Sequence, residues 1–221
     1  MLSWFFEKDK KQEDLIRASQ CLHHCLHKFF STTNKAFDIL NSHLNGSFSH
    51  ISVNESAGIK ENCAEVSTAI SKIREVTEHT DRLVQKSLEP HLYNKITLSG
   101  VSLQEKAEVA KELNQATMGI LGGICGPIAA VLFTKSGLEN FVSLDDQLTS
   151  SPVWSLTVAD LLQSSRDISR LLCGAKSQRA SLEEATRSLE EVQGVLKPAC
   201  EAFDDIVCEV KAYIKLITEK M

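Results

Sequence analysis

Residues Leu113–Thr134 read LNQATMGILGGICGPIAAVLFT, the longest run in the 221-residue chain without a charged side chain. Segments of helical periodicity lie on both sides of it. What they do depends on whether the run spans a bilayer, dips into one, or forms the core of a soluble bundle. As a single helix it would measure about 33 Å, against a hydrocarbon layer of roughly 30 Å. The residues that would enter lipid are Met118, Ile120, Leu121, Ile124, Ile128, Val131, Leu132 and Phe133. Their large aliphatic and aromatic members favour insertion by about 0.3–0.6 kcal/mol each, on the order of 3 kcal/mol together. Asn114, Gln115, four glycines and Pro127 oppose it. Gly126-Pro127 is a natural break point, and two halves of about ten residues are too short to cross. The spacings Gly119/Gly123 and Gly122/Gly126 let helices approach closely in lipid, and serve a tight turn in a soluble core equally well. A conditionally inserting hairpin or marginal span is therefore the leading reading, with a purely soluble core as the alternative.

Working outward on the N-terminal side, a first helix is expected over 12–44. Leu15, Leu22, Leu26, Phe29, Phe37, Leu40 and Leu44 step by threes, fours or their sums and fall on one stripe. A polar loop, 45–57, follows and holds two glycosylation patterns, at Asn45 and Asn54. The second helix shows Ile59, Cys63, Val66, Ile70, Ile73, Thr77, Thr80 and Val84, the three-four alternation of a coiled-coil seam. Pro90 should break it after Leu88. Two similar seams joined by a short loop imply an antiparallel hairpin over 12–98. Ahead of the first helix, Trp4, Phe5 and Phe6 precede Lys8–Lys11, either an interfacial anchor or a flap over the end of a bundle.

Three segments in this half carry a resemblance: Thr33-Asn34-Lys35, Gly58-Ile59-Lys60-Glu61-Asn62-Cys63 and Leu88-Glu89-Pro90-His91-Leu92-Tyr93-Asn94-Lys95. In order and spacing they resemble the single-pass membrane and coiled-coil domain-containing protein 3 family, over roughly the first hundred residues. The resemblance implies a coiled-coil protein with a membrane segment, and it carries over no catalytic residues. The central region departs from the family, being shorter and richer in glycine.

On the C-terminal side, Ser102-Leu103-Gln104-Glu105 is a capping box that opens an amphipathic helix leading into the apolar run. Domain limits follow: 1–11, 12–98, 99–151 with its apolar segment and polar loop, and a C-terminal helical hairpin over 152–221. Ser151-Pro152 reads as the start of a fourth helix carrying Val158, Leu161, Leu162, Ser165, Ile168, Leu171 and Leu172 and ending at Gly174. The fifth has the most regular seam: Leu182, Ala185, Leu189, Val192, Leu196, Ala199, Phe203, Ile206, Val210, Tyr213 and Ile217. Pro198 should bend that helix without breaking it. The fold class is all-α, an elongated bundle of long amphipathic or coiled-coil helices around a glycine-rich apolar hairpin or membrane segment.

The composition excludes several functions. A net charge of −5, from 24 basic and 29 acidic side chains spread along helices, argues against nucleic acid as a partner. No nucleophile elbow, phosphate loop or buried carboxylate pair appears, so catalysis and cofactors are not expected. The seven cysteines sit mostly at apolar helical positions, as reduced, buried thiols do. Cys21/Cys25 and His23/His27 are i,i+4 pairs, the helical spacing for two ligands on one ion. The pairs point to different faces with no second ligand cluster downstream, so no metal is expected. Neither a signal peptide nor a lipidation motif is evident, which places the chain on the cytosolic face of a membrane or in the cytoplasm. Lys95, Lys106 and Lys111 against Lys135 alone orient a span with its N-terminal side cytoplasmic. The expected partners are a lipid membrane and another helix, in a second protein or a second copy.

Overall fold

The computed structural model describes residues 2–44, 46–87, 89–97, 125–135, 151–174 and 178–219, with scattered positions between 102 and 112. These residues are helical almost throughout. The named helices are α1 (Leu2–His43), α2 (Ile59–Ser87), α3 (Pro90–Thr97), α4 (Gly126–Lys135), α5 (Ser165–Cys173) and α6 (Gln178–Glu219). Short 3-10 turns occupy Pro152–Ser155 and Ala159–Leu162. The chain divides into two compact units. The first gathers Met1–Phe30, Ser52–Val66 and Ser143–Glu201, and the second Ser31–Ile51, Ser67–Val142 and Ala202–Met221.

The α2 seam folds as its periodicity requires. Ile59, Cys63, Val66, Ile70, Ile73, Thr77, Thr80 and Val84 are all buried. The two threonines are accommodated because their hydroxyls donate one turn back, Thr77 to the Ile73 carbonyl and Thr80 to that of Val76. Pro90 ends the pattern and starts α3 at its first position, where a missing N–H costs nothing. The α1 stripe is also buried, apart from a half-exposed Leu44. The helix begins about ten residues earlier than the periodicity indicated.

The connection between α1 and α2 differs from a short hairpin loop. In the second unit Asn41 clasps Phe48, its amide donating to the Phe48 carbonyl and its oxygen accepting the Phe48 N–H. Asn34 does the same with Ile51. The segment thus returns along α1, from the level of residue 41 to that of 34. In the first unit Glu55 lies opposite His27, and α2 begins four residues later. The far end of α2 agrees: Val84 packs with Cys125 and Ile128, while Gly126 abuts the backbone at His43. Both helices therefore end against the start of α4 and run in the same sense. The antiparallel pairing expected from sequence is corrected here, because the loop spends its length on the return.

The fourth helix expected from Ser151 is also corrected. Ser151 does cap, accepting from the Val153 N–H, but only a 3-10 turn follows. The chain then restarts twice. Thr157 and Asp160 form a reciprocal cap, Asp160 accepting from the Thr157 N–H at 2.8 Å and Thr157 from the Asp160 N–H at 3.2 Å. Ser164 then caps α5 by accepting from the Asp167 N–H. The phase shifts at each restart, which leaves Leu162 and Leu171 exposed while Val158, Leu161, Ile168 and Leu172 remain buried. Gly174 ends α5 with φ of 70°, the left-handed conformation that favours glycine. In α6 the interior stripe follows the expected seam up to Leu196, then passes through Cys200 and Val207 in place of Ala199 and Ile206. Pro198 lies inside this continuous helix.

Candidate functional site

The apolar run is described only from Cys125 onward; Met118, Ile120, Leu121 and Ile124 lie outside the described residues. The remainder forms α4, ten residues or about 15 Å long. That is half a membrane thickness, and no helix among the described residues is long and apolar enough to cross a bilayer. The helix starts at Gly126-Pro127, the position where a break is expected. Gly126 through Val131 and Phe133 are buried, and Leu132 is half-buried. Ile128 and Val131 share a cluster with Val84, Cys125 and Ile217, flanked by Tyr93, Ile214 and Leu216. Gly126 is required by close approach, since a Cβ there would collide with the carbonyl of His43.

Beside this cluster lies a polar group. Asp81, 3% exposed, accepts from the Tyr93 hydroxyl at 2.8 Å and from the Gln85 amide at 3.0 Å. Lys135 lies over the Tyr93 ring at 5.7 Å. Burial first, and then the bond to Asp81, push the Tyr93 phenol up to about 12. The network ties α3 to α2, and nothing in it is a nucleophile paired with a base.

The second group is in the first unit. His23 and His27, one turn apart on α1, have ring centroids 4.4 Å apart. Glu55 reaches both from the returning segment, with Oε1 3.0 Å from His27 Nε2 and Oε2 3.8 Å from His23 Nε2. His27 and Glu55 are a little under half exposed, whereas His23 Nε2 is enclosed and hydrogen-bonds no protein group. Burial, and then the neighbouring His27, pull the His23 imidazole below its usual value of 6.5; Glu55 works in the opposite direction. Cys21 and Cys25 of the same heptapeptide take no part: Cys21 is exposed, and Cys25 is buried with Cys200, whose thiol lies 3.9 Å from the Cys25 carbonyl.

Glu55 is held by its surroundings. Asn62, 1% exposed, accepts from the Asn54 N–H and donates to the carbonyls of Asn54 and Gly58. Asn54 accepts from the Ser56 N–H, and the turn closes from Ala57 N–H to the Asn54 carbonyl. The segment 55–59 then pairs with 156–159: the Ala159 N–H donates to the Glu55 carbonyl, Val158 to Ala57, and Ile59 to Leu156. Sequence reasoning found His23 and His27 but passed over Glu55, which it met only as the middle of a glycosylation pattern. The available signal was Asn54 with Asn62, two turn-forming amides eight residues apart around a glycine. The side chains of Trp4, Phe5 and Phe6, the candidate interface anchor, lie outside the described residues.

A protein-family comparison covers this arrangement nearly end to end, matching residues 11–215 to DUF4533, described as a protein of unknown function. The chain belongs to the DUF4533 family. The match takes in α2 through α5 whole and most of α1 and α6, so both polar groups of this DUF4533 member fall inside it. No solved structure matches the chain.

Proposed function

We propose that this DUF4533 member is a non-enzymatic helical scaffold that binds another helical protein or a second copy of itself, with the apolar run as interior. The observation that carries the reading is the burial of α4, whose residues Ile128, Val131 and Phe133 are at most 1% exposed. Lipid would have to take the place of Val84 and Ile217 for these side chains to insert. Support also comes from the charges, which pair along solvent faces as Arg187–Glu191, Lys197–Glu201 and Lys215–Glu219. Among the described residues Leu162 and Leu171 are large hydrophobics left exposed, both in the first unit, and they offer contact points for a partner. No disulfide joins the described cysteines, which suits a reducing compartment.

Flotation of the full-length chain with anionic liposomes, followed by a carbonate wash, tests the reading. The protein should stay in the soluble fraction, and Ile128→Arg, which buries an unpaired cation, should lower its melting temperature sharply. A chain that floats with liposomes and survives the wash would restore the membrane reading.

A further inference from the structure

From His23, His27 and Glu55 we infer a binding site for one divalent transition ion, zinc being the best fit, that fastens the segment after α1 to the middle of that helix. Three observations converge on it. The His23 and His27 ring nitrogens and a Glu55 oxygen all lie within 4.8 Å of one another. Two ligands of a tetrahedral zinc, each about 2.0–2.2 Å from the ion, are separated by about 3.3 Å. Glu55 Oε1 lies 3.0 Å from His27 Nε2 and Oε2 lies 3.8 Å from His23 Nε2, so the carboxylate is near that spacing from each ring, one oxygen to each. Second, His23 Nε2 is an enclosed polar atom with no hydrogen bond, a costly arrangement that metal ligation relieves. Third, Glu55 is placed from both sides, by the Asn54–Asn62 clasp and by the Ala159 N–H on its carbonyl. These bonds fix the backbone on either side of Glu55, and the carboxylate extends from it towards the two imidazoles.

The donor set decides the class of ion. Two imidazoles and one carboxylate suit zinc and its neighbours, whereas calcium and magnesium call for oxygen cages. Helical i,i+4 histidines supply adjacent ligand positions on one face. The third ligand comes from another element, so the ion would close a loop across the 28-residue separation of His27 and Glu55. Cys21 and Cys25 are excluded by direction, one facing solvent and the other the interior.

The test uses the full-length chain stripped with chelator and titrated calorimetrically with zinc chloride. One zinc per chain is expected. Glu55→Gln and His27→Gln should each weaken binding by more than about a hundredfold, beyond the roughly 10–100-fold that loss of an outer hydrogen bond to a ligand brings. Both side chains are partly exposed, so the variants should keep the wild-type circular dichroism. Cys21→Ser should bind as wild type does. Cobalt substituted for zinc should give visible bands without the near-ultraviolet absorption of a thiolate ligand. The absence of stoichiometric zinc, equal affinity in Glu55→Gln, His27→Gln and wild type, or a thiolate band would each overturn the site.

Discussion

At the scale of single residues, two half-buried rings in the second unit make measurable predictions. His43 sits at the end of α1, and burial pulls its pKa down from 6.5. A histidine whose folded pKa is depressed is protonated more readily by the unfolded chain. Its contribution is therefore intact above pH 6.5 and is lost as pH falls below that value. In thermal denaturation at pH 7.5 and 5.5, the acid-induced drop in melting temperature should be smaller for His43→Gln than for wild type. An equal drop in both would remove His43 as a cause. Tyr93→Phe takes one of two donors from the buried Asp81 carboxylate. An under-satisfied buried acceptor costs about 1–3 kcal/mol, which urea denaturation would register as a lower midpoint; an unchanged midpoint would mean that water replaces the phenol.

At the scale of elements, backbone approach and side-chain clasps set the arrangement. The contact between the start of α4 and the His43 carbonyl leaves no room for a methyl group at position 126. Overpacking of that kind costs roughly 1–3 kcal/mol, so Gly126→Ala should lower the melting temperature, whereas Gly194→Ala, with open space around it, should not. A stable Gly126→Ala protein would show that α4 can shift away. The common direction of α1 and α2 is testable by spin labels at Ser42 and Lys86, both exposed. These should lie close together, near the ends of two neighbouring helices. An antiparallel pair would separate them by about the length of α2, ~43 Å. The broken fourth helix has a local cause, since Thr157-Val158-Ala159-Asp160 and Ser164-Ser165-Arg166-Asp167 are both caps. A capping pattern inside an apolar stripe starts a new helix and resets its phase.

At the scale of the whole molecule, circular dichroism of the full chain should show a predominantly helical spectrum, and substantial strand signal would contradict the fold. What the sequence determined by itself was helical periodicity and its punctuation. The α2 seam, the break at Pro90, the continuity through Pro198 and the helix start at Gly126-Pro127 all follow from side-chain spacing and from backbone donors present or missing. The capping box is equally local: Ser102 and Glu105 exchange hydrogen bonds as their spacing requires. Direction and partnership were not legible, because periodicity shows which face of a helix is buried and not what covers it. Whether α2 lies parallel or antiparallel to α1 depends on the path of the residues between them, fixed by amides at Asn34, Asn41 and Asn62 that pair with the backbone of that connecting segment. The neighbours of the apolar run were hidden for the same reason: spacing does not show what covers α4, and only the tertiary structure packs Ile128 and Val131 with Val84 and Ile217. The histidine pair was visible at its i,i+4 spacing, but tertiary structure alone brought Glu55 back along α1 to meet it.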